Sequence, residues 1–227
     1  MADKRTCCGG KRKCSSVSKW RRGAEGENMP YYAKSIFKKC PKYLAKMCNI
    51  QIEESALENN LKNKIESQIP IKNKMAAMQL NTIILPAVAT YETLLSMGCT
   101  TEECHDCIRQ YVLFYYKSQA AIINCCGRLS FFRQIFKYFF SLAMKMYPTE
   151  FWNIEWVENT KDKIAFNMHD CLYFKTLKEF GCEELTSIFC AVDNLFYDNM
   201  SKHVKFIRTQ TLGNQGKLCD FKFICKK

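Results

Sequence analysis

The apolar pattern of this chain changes period at Pro148. From Tyr31 to about Tyr147 apolar residues recur at helical spacing, whereas "FWNIEWVE" and "KIAFNMHD" alternate residue by residue. A period of 3.6 builds one stripe of a helix, and a period of 2 builds one face of a strand. Helices followed by a run of strands define the α+β class. The first two strands should pair as a hairpin across "ENTKDK", with Trp152, Ile154 and Trp156 on one side and Ile164, Phe166 and Met168 together. Helical spacing returns over 172–200 with a break near Gly181, and two last strands, about 204–212 and 217–225, flank Gly213-Asn214-Gln215-Gly216. The expected fold is an N-terminal helical bundle (29–147) followed by a β-β-α-α-β-β antiparallel sheet layer (148–227), packed as one domain.

Helix boundaries are written in local chemistry. Residues 31–48 carry a helical stripe broken at Pro41, and the charged stretch 52–68 reads as an exposed helix that stops before Pro70. Residues 74–97 are apolar around Pro86, which predicts a buried, kinked helix ending at Gly98. Thr100 and Glu103 form a capping-box pattern for a helix that runs to about Cys126 and halts at Gly127. The next helix, about 129–146, carries Phe131, Phe132, Ile135, Phe136, Phe139 and Phe140 together with Arg133, Lys137 and Lys145. A basic amphipathic helix of this kind can lie on a membrane. Its aromatics cover more than one narrow face, however, so it is expected at the centre of the bundle.

The formal charge of +12 is partly local. Residues 1–28 hold eight Lys or Arg and three acids, which leaves 26 basic and 19 acidic residues, or +7, elsewhere. That segment reads as a disordered, basic tail, and either it is an appendage or Met29 is the start. Its Cys7, Cys8 and Cys14 lack a fourth ligand for a metal clip. No motif for nucleic acid is present, no apolar run is long enough to span a bilayer, and no apolar stretch follows the basic N-terminus as in a secretory signal. The expected setting is cytoplasmic, with no membrane or nucleic-acid partner, a small-molecule substrate, and room for a homo-oligomer. In that setting most of the 15 cysteines read as buried thiols.

The last hairpin brings chemistry together. If Leu212 pairs with Lys217, Gln210 faces Cys219, Arg208 faces Phe221, Phe206 faces Phe223 and Val204 faces Cys225. Cys219 then points to the core and Asp220 to the other face, where it can accept a hydrogen bond from Thr209. On the preceding helix Cys190 and Asp193 share a sector beside the stripe Leu185, Ile188, Phe189, Val192, Leu195 and Phe196. Burial there raises a carboxyl pKa, or pairs it with Arg208. A thiol and a carboxyl at this boundary can serve as nucleophile and acid/base, and the plainer alternative is a core Cys beside a partly exposed Asp.

These residues carry a resemblance. Cys171 opening a helix, Gly181 to Leu185, Cys190 with Asp193, Thr209 and Thr211, Gly216 and Cys219-Asp220-Phe221 resemble the C-terminal signature of the L-2-amino-thiazoline-4-carboxylic acid hydrolase family. The likeness covers about 165–224, "LLSMGCTTEEC" resembles the boundary before it, and the ending is more remotely similar to vinyl-4-reductase-like domains. The resemblance implies a hydrolase that opens a cyclic amidine-type thiazoline with water to N-carbamoyl-cysteine. It implies Asp193 handling a proton, attack by water or by Cys171, Cys190 or Cys219, Arg208 on the substrate carboxylate, and Thr209 or Thr211 orienting the substrate. His169, two residues before Cys171, can face the same side and activate it.

Two other readings stay open. No cofactor is expected, but Cys171, Cys190, Cys219 and Asp193 also suit zinc or another divalent metal, although no Cys-x-x-Cys occurs among them. Cys104-His105-Asp106-Cys107 has that spacing inside a helix without a second pair, and reads as core. The same pocket can also serve a non-catalytic sensor of small molecules or metals.

Overall fold

A computed structural model describes residues 30–225. The tail over 1–28, with Cys7, Cys8 and Cys14, lies outside the described residues. The chain is an α+β protein: helices dominate up to residue 152, and a four-stranded sheet forms from residue 154 onward.

The helical part opens with α1 (Pro30–Lys34), a 3-10 turn at Ile36–Lys39, α2 (Cys40–Met47) and α3 (Glu54–Ser67). Pro41 sits in the first turn of α2, where its missing N–H costs nothing. The apolar stretch is α4 (Lys74–Gln79), a π-helical turn at Leu80–Ile84, and α5 (Leu85–Ser96). The expected kink is therefore a widened turn directly before Pro86, which stands in the first turn of α5. Gly98 ends the run at φ 90°. Thr100 caps α6 (Thr101–Cys126): its hydroxyl accepts from the Glu103 amide while Glu103 accepts from the Thr100 amide.

The sheet comprises β1 (Ile154–Asn159), β2 (Lys163–Met168), β3 (Val204–Ile207) and β4 (Cys219–Cys225) in the order β1-β2-β4-β3, all antiparallel. Between them lie α9 (Leu172–Glu179) and α10 (Thr186–Tyr197), separated at Gly181 as the sequence suggests. Cys219, Phe221, Phe223 and Cys225 are buried on one face of β4, while Asp220, Lys222 and Ile224 are half-buried on the other. One covered face and one wetter face are what antiparallel sheets permit. α10 packs on the covered face through Tyr197 on Phe206 and Phe223. α7 (Phe132–Ala143) packs there too, through Phe136 on Phe223 and Phe140 on Phe166 and Phe223. Each such ring contributes roughly 1.5–3 kcal/mol when fully buried.

Three expectations are corrected. Trp152 is not in the first strand: it closes a short helix, α8 (Thr149–Trp152), and Asn153 turns the chain with φ 42°. α7 is not central, because only Phe132, Phe136 and Phe140 are buried while Phe131, Tyr138, Phe139 and Leu142 face outward. The last hairpin keeps the expected pairs Val204–Cys225, Phe206–Phe223 and Ile207–Lys222, but β3 stops at Ile207. Beyond it the Asp220 carboxylate takes the place of the ladder, accepting from the Thr209 and Gln210 amides and from the Thr209 hydroxyl.

Candidate active site

Asp193 lies on α10 beside the end of β3, where Arg208 reaches it. Nη1 of Arg208 donates to Asp193 Oδ2 at 2.7 Å, and Nη2 donates to the Cys190 carbonyl at 2.7 Å and to Asn194 Oδ1. The guanidinium also stacks over Phe221 at 5.2 Å and Phe206 at 5.7 Å. Three of its five donors are thus engaged, and the side chain is only 7% exposed. Arg208 ties the end of β3 to α10. Its two remaining donors are not engaged by any described residue, and Arg208 also lines an open cleft.

Burial pushes the Asp193 carboxyl up to about 6, against the lowering effect of the Arg208 charge and hydrogen bond. Yet its side chain keeps 30% of its surface accessible. The same combination recurs at Tyr116, Tyr147, Tyr173, Tyr197 and Cys171, each half-buried and each with its pKa raised first of all by burial. Their charges act on one another: Tyr147 and Tyr173 feel Asp193, Tyr116 and Cys171, and Tyr197 feels Asp193 and Arg208. Tyr147, Tyr173 and Tyr197 thus lie within reach of the Asp193 charge, and Tyr116 within reach of Tyr147 and Tyr173. Gln79, buried at the start of the π-helical turn, accepts from the Tyr173 hydroxyl at 3.0 Å and donates to the Met146 carbonyl at 2.7 Å. Among the described residues no hydrogen bond reaches Asp193 Oδ1, so one carboxyl oxygen is held and the other is open.

The three expected thiols lie at this place as well. Cys171 is the N-cap of α9, and burial pushes its thiol up to about 12 although the Phe174 and Tyr173 amides pull it down. Cys219 is pushed up to about 11 by burial, with the Leu212 amide donating to its sulfur at 3.3 Å. Cys190 is raised by burial first, and the charge of Arg208 pulls it down. Cys171 is coupled to both of the others, and Cys190 and Cys219 to Asp193. The structure thus brings Cys171, Cys190, Asp193, Cys219 and Arg208 together. Thr211 is buried next to them, and its hydroxyl has no hydrogen-bond partner among the described residues.

Two expected residues lie elsewhere. Thr209 spends its hydroxyl on Asp220 at the surface, 2.7 Å away. His169 is exposed and pairs with Glu155 at 2.7 Å across β1 and β2, so it does not activate Cys171. Among the described residues no three His, Cys, Asp or Glu side chains stand close enough to hold a metal ion, those of this cluster included. On the outer side, an open cleft of about 570 Å³ is lined by Arg109, Ser187, Cys190, Asn194, Arg208 and Asn214 among others.

The turn after β3 closes over α10. A Cβ on Gly213 would stand 2.9 Å from Cys190 Sγ, 3.0 Å from Thr186 Cγ2 and 3.1 Å from the Ser187 amide nitrogen. Gly213→Ala is therefore expected to cost about 1–3 kcal/mol, as overpacking does. Because the clash is with Cys190 itself, turnover should fall together with stability; unchanged thermal unfolding and unchanged kinetics would show that the turn moves freely.

Fold and site together define a class: an α+β protein with a half-buried carboxyl, paired with an arginine, where α10 meets the end of β3. A model of the L-2-amino-thiazoline-4-carboxylic acid hydrolase family matches residues 76–223, and the chain belongs to this family. The match reaches well upstream of the C-terminal signature, across the π-helical turn, α6 and α7. No curated protein and no solved structure matches the chain.

Proposed function

We propose that this protein hydrolyses a small cyclic amidine of the 2-amino-thiazoline-4-carboxylate type, with Asp193 as the acid/base. The observation that carries the proposal is Asp193 itself, with its pKa pushed up to about 6 and one oxygen held by Arg208. A base works best with a pKa near the working pH. The ring carbon between nitrogen and sulfur becomes electrophilic when the ring nitrogen is protonated. A carboxylate close to the site favours such a cation by charge.

Ionised Asp193 accepts a proton from water as the water oxygen bonds to that carbon. The carbon–sulfur bond then breaks, the sulfur leaves as a thiol with a proton, and the added oxygen becomes the carbonyl of the carbamoyl product. Attack by a protein thiol is disfavoured. Burial raises the pKa of all three thiols, so little of the nucleophilic thiolate is present near neutral pH. Cys171, Cys190 and Cys219 instead form a weakly polar wall that keeps the carboxyl dehydrated.

The proposal is tested by incubating the purified protein with a panel of thiazolines and cyclic amidines and following mass. The expected product is heavier than its substrate by one water, with a free thiol. The expected kcat/KM rises through pH about 6, because Asp193 must be ionised. Tight binding across the panel with no mass change would identify a sensor instead.

A further inference from the structure

The outward face of α7 has no partner within the described chain. Tyr138 is 71% exposed and Phe139 55%, and Leu129, Phe131, Leu142 and Met146 are exposed beside them. Helical spacing puts Tyr138, Phe139 and Leu142 in one arc of α7, adjacent to the buried arc of Phe132, Phe136 and Phe140, with Phe131 at the N-cap. Trp156 extends this surface. It pairs across the ladder with Phe166, whose ring packs on Phe140, so the exposed indole stands on the α7 side of the sheet. A contiguous aromatic patch of this kind marks an interaction site.

Its charge selects the partner. Residues 125–147 contain Arg128, Arg133, Lys137 and Lys145 and no acid. Arg133 is paired with Asp162, and Lys137 donates to the Asn159 carbonyl at 3.2 Å, which anchors the polar flank of the helix to the β1–β2 turn. Arg128 and Lys145 are exposed at the ends of the patch. Docking of two copies through this face would oppose cation to cation. A polyanionic surface that also accepts aromatic rings is matched in both respects.

We propose that this face binds the surface of an anionic phospholipid bilayer, with Phe131, Tyr138, Phe139, Leu142 and Trp156 entering the headgroup boundary and Arg128 and Lys145 meeting lipid phosphates. This is peripheral contact: no described helix is long and apolar enough to cross a membrane. The expectation of no membrane partner rested on the lack of a spanning apolar run, which still holds, and on a central position for this helix, which α7 does not have.

The test is flotation of the full chain with vesicles of phosphatidylcholine alone or with 30–40% phosphatidylserine (roughly the charge range in which basic amphipathic helices bind). The comparison variant is Tyr138→Ser/Phe139→Ser/Leu142→Ser, three exposed positions whose replacement should leave thermal unfolding unchanged. Expected is binding to the phosphatidylserine vesicles that weakens in high salt and drops at least about tenfold in the variant. Equal binding by variant and parent would overturn the proposal, because the contact would then belong to the basic residues 1–28. No binding, or a dimer in light scattering that the variant dissociates, would overturn it in favour of a second copy. If the triple variant unfolds, Phe139→Ser alone serves with the same readings.

Discussion

Asp193→Asn is expected to lower turnover at least ~100-fold while the fold survives, the scale of losing a positioned acid/base. The substitution keeps the shape of the side chain and one acceptor for Arg208, and removes only the proton chemistry. The rising limb of kcat/KM near pH 6 should disappear with it. Stability moves the other way. The folded pKa of about 6 lies above the unfolded carboxyl value, so ionised Asp193 opposes folding above pH 6, and this opposition fades as pH falls toward 4. The melting temperature of Asp193→Asn relative to the parent should therefore be most favourable at pH 8 and least so at pH 4. Cys171→Ser, Cys190→Ser and Cys219→Ser should each lose less than about tenfold. A single Cys→Ser loss of ~100-fold, with Asp193→Asn active, would return the chemistry to a thiol nucleophile.

Arg208→Met should be the most destabilising change at the site, by about 3 kcal/mol. It strands the Asp193 carboxylate, the Cys190 carbonyl and the Asn194 side chain at once. For a chain of this size that is roughly 6–12 °C in Tm. The loss should be smaller at pH 5 than at pH 8, since an abandoned Asp193 can take up a proton. Combining it with Asp193→Asn should recover part of the loss at pH 8. Full stability of Arg208→Met would mean that the tie between β3 and α10 is incidental.

What could be read from the sequence follows interaction range. The Thr100–Glu103 box, the β1–β2 hairpin and the shared sector of Cys190 and Asp193 are set by spacings of a few residues, and all three stand in the structure. The Arg208–Asp193 pair was also within reach, because a cation and a carboxyl on adjoining elements leave few other solutions. The four tyrosines were not. Tyr116, Tyr147, Tyr173 and Tyr197 lie in α6, before α8, in α9 and in α10, and no local rule relates them. A chain with 11 tyrosines gives no reason to single these out. α7 misled for a different reason: a helix with apolar residues on more than one face is normally buried, and periodicity cannot distinguish a second core contact from an uncovered one. β3 ended early because a side chain, Asp220, outcompeted backbone carbonyls for two amides.

The place of β4 between β2 and β3 bears on how this chain is made. During synthesis β1 and β2 can close on each other as soon as they leave the ribosome, but the other edge of β2 stays open until residues 219–225 emerge. Until then Ile164 and Phe166 lack their cross-strand partners Phe223 and Phe221, and β3 has no strand to join. An unpaired apolar edge held open for some fifty residues of translation invites pairing with other nascent chains. Yield in a cell should therefore depend on holdase chaperones and slow expression more than the finished fold, with that edge covered, would suggest.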